Sequence, residues 1–305
     1  MSTPLRNLLI TGATGKQGGA LLEALTSRPA GSPFHIYALT RDKTSSSAQR
    51  LAAKPNVSLV QGDLDNCPAI FEQIPKPWGV FSVQLPLPNV RTEEARGKAL
   101  ADAAAGAGVQ FFVYTSVERG GVKRSDEDPT YIAHFKSKFN IEKHIQHTAE
   151  SAGGTMQWSI IRPVAFYDNL SADFLGKAFG TMWKQVGSRP VQYVSSIDIG
   201  KVAALAFENP SSYTGRAISL AGDELNHEQA KMIFTEKTGK DMPETYGIVG
   251  SAIKVVLREQ LGDMFRWFGE EGNGFGADIQ SLRKEYPFLM DFGTWIEKES
   301  AWKKS

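Results

Sequence analysis

Residues 12–19, Gly-Ala-Thr-Gly-Lys-Gln-Gly-Gly, hold the densest chemistry in the chain. They follow the apolar run Leu8, Leu9, Ile10 with Thr11, and they precede Ala20, Leu21, Leu22, Ala24 and Leu25. That order reads as strand, tight turn and amphipathic helix. Glycines at 12, 15 and 18 let backbone N–H groups approach a pyrophosphate closely, and the helix N-terminus points its positive end at the same place. An ordinary turn needs one glycine, so the triplet in this setting predicts a dinucleotide site. The residues expected to form it are Gly12, Ala13, Thr14, Gly15, Lys16, Gln17 and Gly18.

The nucleotide is read from the next strand end. A site for NAD places an acid there against the ribose 2′-hydroxyl, and a site for NADP places a cation. Here His35-Ile36-Tyr37-Ala38-Leu39-Thr40 ends on Arg41, 23 positions after Gly18, with Lys43 close behind. A guanidinium can hold a 2′-phosphate with two hydrogen bonds and stack on adenine, which predicts NADP(H). The competing reading is a solvated basic loop, and Asp42 stands beside Arg41. Asp63 can bond the adenine amino group, cap the next helix, or do both, while Leu64 packs on the ring. Gln84 and Leu85 end a later strand and are expected beside the nicotinamide half.

Alternating elements must position these residues. Strand-like runs fall at 7–11, 35–40, 57–61, 79–84, 110–115 and 156–161, with helix-like segments at about 18–28, 45–53, 68–74, 92–106 and 131–152 between them. The alternation predicts an α/β fold, a Rossmann doubly wound parallel sheet. After residue 163 the pattern changes. A short strand at 191–194 leads into a helix ending at Glu208. A strand at 217–221 precedes a helix over 226–238. The remainder reads as helical. Ser251–Phe268 is amphipathic, with Ile253, Val256, Leu257, Leu261, Met264, Phe265 and Phe268 on one side, and 269–276 interrupts it. The expected division is 1–163 for the NADP-binding domain and 164–305 for a smaller helix-rich lobe for substrate or partner. Some later strands and helices are expected to return to the first domain.

Composition sets the outer limits. The 305 residues are 41% hydrophobic and 22% charged, with net charge +1, so no field for nucleic acid or an anionic membrane is implied. One cysteine, Cys67, rules out an internal disulfide and reads as a structural thiol. The N-terminus runs straight toward a strand, and no apolar run reaches membrane-spanning length. These features point to a cytosolic or nuclear protein. His35, His144, His147 and His227 show no metal-ligand spacing, so no metal is expected.

Taken in order, the motifs resemble the NmrA-like family, atypical members of the short-chain dehydrogenase/reductase superfamily. The likeness covers nearly the whole chain and is nearest to the NmrA-like redox-sensor type. It rests on 12–19, Thr40-Arg41, Gln61-Gly62-Asp63, 97–104 (Gly-Lys-Ala-Leu-Ala-Asp-Ala-Ala) and 134–138 (His-Phe-Lys-Ser-Lys). It continues in Arg162-Pro163 with Phe166 and Asn169-Leu170, and in Asp198-Ile199-Gly200. The resemblance implies NADP(H) held by the glycine turn, Arg41, Asp63, the Gln84 region, Lys138 and the Phe166–Asn169 segment. Some relatives of this kind sense NADPH and change shape, oligomeric state or partner; others are reductases.

In orthodox members of that superfamily a tyrosine stands four residues before a lysine on one helix face. The lysine holds the nicotinamide ribose and the tyrosine exchanges a proton with the carbonyl. Here the lysine is Lys138, but His134 stands in the tyrosine's place and Tyr131 comes three residues too early. Ser116 matches the usual serine. One reading makes His134 the proton donor, since histidine titrates near neutrality, with Ser116 orienting a carbonyl. The other makes His134 a packing residue and leaves Lys138 only a cofactor contact. Tyr167 is a second proton donor or an aromatic wall. Two functions follow: an NADP(H)-binding sensor acting through a regulatory protein partner, or an NADPH-dependent reductase of a small carbonyl, quinone or enone. A homodimer fits either.

Overall fold

The computed structural model describes residues 5–28, 31–85, 89–245 and 262–303. In chain order the first elements are β1 (Arg6–Ile10), α1 (Lys16–Thr26), β2 (Phe34–Thr40), α2 (Ser46–Ala52), β3 (Val57–Gln61) and α3 (Cys67–Phe71). Next come β4 (Pro77–Ser82), α4 (Val90–Gly106), β5 (Phe111–Thr115), α5 (Val122–Glu127), α6 (Ala133–Ser151) and β6 (Gln157–Pro163). They are followed by β7 (Ala165–Phe166), α7 (Phe174–Lys184), β8 (Val191–Val194), α8 (Ser196–Glu208), α9 (Pro210–Tyr213), β9 (Arg216–Leu220), β10 (Asp223–Leu225) and α10 (His227–Thr238). Three short helices, Asp263–Gly269, Ile279–Glu285 and Phe292–Lys298, close the described chain.

The chain forms two compact units and passes between them more than once. The first holds residues 1–116, 137–161 and 199–218; the second holds 117–136, 162–198 and 219–305.

The first unit is built on a seven-stranded sheet in the order β3-β2-β1-β4-β5-β6-β9. The pairs β1–β2, β2–β3, β1–β4, β4–β5 and β5–β6 are all parallel. A parallel strand covered on both faces must be apolar throughout. Accordingly Leu8, Leu9 and Ile10 of β1 and Phe112, Val113 and Tyr114 of β5 are wholly buried. The order reverses between β1 and β4, and in doubly wound sheets ligands bind outside the carboxyl ends at such a switch point. The alanine-rich α4 starts at Asn89, whose side chain accepts the N–H of Thr92. It lies close against α6, since a Cβ on Gly97 would meet Ile141 at 2.5 Å.

The second unit has a three-stranded sheet, β10-β8-β7, with β8 antiparallel to β10 and parallel to β7. Its core is aromatic. The rings of Tyr167 and Tyr193 stack at 5.9 Å, and Trp183 lies 4.3 Å from Tyr193. Trp183 and Trp267 are buried in that core. The sequence pattern missed β7 and β10, because strands of two and three residues cannot show a period. It also missed α5 and α7. The amphipathic helix expected over 251–268 falls mostly outside the described residues, Ile253, Val256, Leu257 and Leu261 included. Within the helix Asp263–Gly269, Met264, Phe265 and Phe268 are buried.

Candidate functional site

The glycine turn sits where β1 ends. Gly12 has φ of +58°, which a side chain would oppose, and Gly15 donates its N–H to the Gly12 carbonyl at 2.8 Å. Gly18 is fixed by contact. A Cβ there would lie 2.4 Å from the Gly12 oxygen. No side chain caps α1, and its first turn carries no acid. An uncapped helix start behind a tight glycine turn is the arrangement that accepts a phosphate.

Thr11 anchors this turn and was not singled out by its sequence. Its hydroxyl lies 3.1 Å from the Phe81 carbonyl and 3.2 Å from that of Val83, and it accepts the Val83 N–H at 2.8 Å. The ends of β1 and β4 are thereby tied together. Gln17 is held from another side: its side-chain oxygen accepts the Thr115 hydroxyl at 2.6 Å. Ala13 is buried, while Thr14 and Lys16 are exposed.

Arg41 and Lys43 are on the loop between β2 and α2. Asp42 is drawn into that loop. Its carboxylate accepts the N–H and hydroxyl of Thr44 at 2.7 and 2.6 Å, and these bonds hold its pKa below the ordinary value. The Arg41 carbonyl accepts from the Gln61 side chain at 3.2 Å, tying the strand end to β3. Asp63 accepts the N–H of Asp65 at 3.1 Å and caps a short 3-10 helix, Leu64–Asn66. Arg96 binds Asp65 through two nitrogens at 2.7 Å each and lies 3.4 Å from Asp63.

Gln84, just past β4, is buried. Its amide nitrogen donates to Ser82 at 2.8 Å, and its side-chain oxygen is buried without a hydrogen-bond partner. Leu85 next to it is exposed. Cys67 is buried and donates to the Leu64 carbonyl at 3.2 Å. Burial, with Asp63 and Asp65 nearby, pushes its thiol up to about 11.

Ser116 and Lys138 each meet a buried carboxylate that the sequence reading missed. Lys138 lies 2.9 Å from Glu93 of α4, whose side chain is wholly buried and also accepts the Ser137 hydroxyl. The Ser116 hydroxyl donates to Glu142, likewise wholly buried and one turn beyond Lys138 on α6. The spacing of four from Lys138 was the available signal for Glu142. Glu93 gave none, because an acid in the first turn of a helix usually faces water.

The other predicted residues belong to the second unit. His134 is buried on the first turn of α6 and packs edge-to-face on Phe135 at 4.8 Å. Tyr131 is exposed and donates to Glu270 at 3.0 Å; burial of its hydroxyl and that carboxylate push it up to about 12. Tyr167 is fully buried among Tyr193, Phe292 and Trp295, and burial raises its pKa well above the ordinary phenol value. Its ring is packed in the aromatic core of the second unit. Phe166 and Asn169 are partly buried at the end of β7 and in the 3-10 turn after it. Among the described residues no group of metal-ligand side chains and no helix long and apolar enough to cross a membrane occurs.

A parallel sheet with its switch point at a glycine turn defines a Rossmann-type dinucleotide fold. The sequence matches the NmrA-like family over residues 5–296, and the chain belongs to that family. It is 27% identical over 262 residues to the NmrA-like family domain-containing oxidoreductase FrzB of Cladobotryum sp, covering 76% of this chain and 74% of that protein. Its fold is similar to that of NmrA, a negative transcriptional regulator, in complex with NADP. The TM-score is 0.72 at 18% identity, over 98% of this chain and 96% of NmrA. It is also similar to the NADPH-dependent quinone oxidoreductase QOR2 of Escherichia coli complexed with NADPH. There the TM-score is 0.69 at 22% identity, over 94% and 97% of the two chains.

Proposed function

We propose that this chain binds NADP(H) at the carboxyl ends of β1, β2 and β4 and is an oxidoreductase of small carbonyl or alcohol compounds. The observation that carries the reading is the glycine turn, where Gly12 and Gly18 leave room for nothing larger than hydrogen and α1 begins uncapped. Residues present there suit the cofactor. The N–H groups of α1 would hold the pyrophosphate, Arg41 and Lys43 the 2′-phosphate, Asp63 and Leu64 the adenine, and Lys138 the nicotinamide ribose. Asp42 stays ionised beside Arg41, with its carboxylate bound to the N–H and hydroxyl of Thr44. When bound, the cofactor supplies or accepts a hydride. The reading gives orientation to Lys138 and the proton to Ser116, each of which meets a buried acid. The oxidoreductase name of the relative FrzB agrees with this reading.

A second reading has one observation in its favour. No tyrosine stands four residues before Lys138, and His134 in its place is packed against Phe135. The protein is then an NADP(H) sensor acting through a protein partner, in line with the regulator NmrA whose fold it shares. The test is NADPH consumption against a panel of quinones, aldehydes and enones. Turnover that disappears in a folded Ser116→Ala variant supports the oxidoreductase. Inactivity across the panel, joined to NADP(H)-dependent capture of a partner, overturns it in favour of the sensor.

A further inference from the structure

Resting on the oxidoreductase reading, we propose that Ser116 and Glu142 form the proton relay that takes the place of the missing tyrosine. Ser116 directly follows β5, at the carboxyl end of the sheet, and its backbone N–H is fixed on the Ile161 carbonyl at 2.7 Å. Its side chain is 4% exposed and that of Glu142 is 0% exposed. A hydroxyl has one proton, and this one is directed at the Glu142 carboxylate. Toward a ligand Ser116 therefore presents lone pairs. It accepts the hydroxyl proton of an alcohol while passing its own to Glu142.

The balance closes in both directions. In oxidation the carbinol C–H bond breaks and its hydride goes to the oxidised nicotinamide. The O–H bond breaks and its proton goes to Ser116 Oγ while the Ser116 proton goes to Glu142; once the product has left, the proton passes back out through Ser116 to the water that replaces it. In reduction a protonated Glu142 supplies the same proton outward through Ser116 to the carbonyl oxygen as hydride reaches the carbon. Lys138 is not the source, because its ammonium is tied to Glu93 at 2.9 Å. His134 is packed on Phe135, and the Tyr131 hydroxyl is spent on Glu270. The titratable groups of the same cluster are Lys138 on α6, Glu93 on α4 and Tyr114 on β5, whose ring lies 5.9 Å from Lys138 Nζ.

The full-length protein carrying Glu142→Gln, Glu142→Asp, Ser116→Ala and Ser116→Ala with Glu142→Gln is compared with the native chain. The readouts are NADPH affinity by fluorescence and kcat for the best quinone or aldehyde of the panel. General acid–base catalysis contributes about 100-fold or more, so kcat falls about that much in Glu142→Gln and in Ser116→Ala. NADPH affinity stays within about twofold, the double variant loses no more than either single one, and Glu142→Asp recovers part of the rate. Losses that multiply in the double variant, or a Glu142→Gln enzyme with native kcat, overturn the relay while leaving the oxidoreductase standing. A native chain that binds NADPH and turns over nothing overturns the oxidoreductase reading and the relay together.

Discussion

Gly18→Ala tests the cradle through a contrast with its neighbour. A Cβ on Gly18 would lie 2.4 Å from the Gly12 oxygen and 2.7 Å from both the Gly12 carbon and the Thr11 oxygen. All three are backbone atoms of the turn, so the turn must move. Alanine is the better helix former by about 0.5–1 kcal/mol, and overpacking costs about 1–3 kcal/mol. The clash wins, with a net loss of about 1–2 kcal/mol and about 2–4 °C in Tm for each of them. At Gly19 the same Cβ meets only the Ala13 oxygen, at 3.3 Å, which a small adjustment relieves. Gly19→Ala is therefore close to neutral. A displaced turn also misaims an N–H at the pyrophosphate. One charge-assisted hydrogen bond is worth about 1.5–3 kcal/mol, so NADPH binds roughly ten- to hundredfold more weakly to Gly18→Ala. Thermal melts and fluorescence titrations of both variants check this. Equal melting and equal affinity for the two would refute the close-approach argument.

Other consequences are as direct. Lys138→Ala leaves Glu93 buried without its cation, so it costs about 3–5 kcal/mol in denaturant unfolding, and adding Glu93→Ala restores part of that. A double variant no more stable than Lys138→Ala would show that the pair does not hold α4 to α6. Cys67, buried with its thiol at about 11, resists alkylation at pH 8 in the folded protein and reacts on unfolding. Prompt modification of the native protein would contradict its placement. His227 is buried 3.2 Å from Glu244, and burial outweighs Glu244 and Glu228 to lower its pKa below 6.5. The unfolded chain then takes up the proton first as pH falls through 6.5, so stability declines below that value. His227→Leu flattens that decline in unfolding curves; an unchanged slope would contradict it.

The parallel sheet was readable because its central strands β1, β4 and β5 are largely apolar runs and helix-like segments alternate with them. The glycine turn was readable because its glycines answer a steric demand that no other residue meets. Thr11 escaped notice because a threonine ending a strand is common, and its role as a tie between β1 and β4 depends on a residue 72 positions away. Glu93 and Glu142 escaped for a similar reason. Each sits on a helix where an acid usually faces solvent, and only packing of α4 and β5 against α6 turns them inward. Tyr167 offered two roles in the sequence, and the surrounding rings decide for packing. The second unit was the least legible, since β7 and β10 are too short to carry a pattern.

The first unit is proposed to bind NADP(H) through the glycine turn and Arg41. Calorimetric titration of the native chain and Arg41→Ala with NADPH and with NADH tests it most directly. NADPH is expected to bind the native chain at least about tenfold more tightly than NADH, and Arg41→Ala to remove most of the difference. Absence of binding by either nucleotide, or equal affinity for both in the native chain, would contradict it.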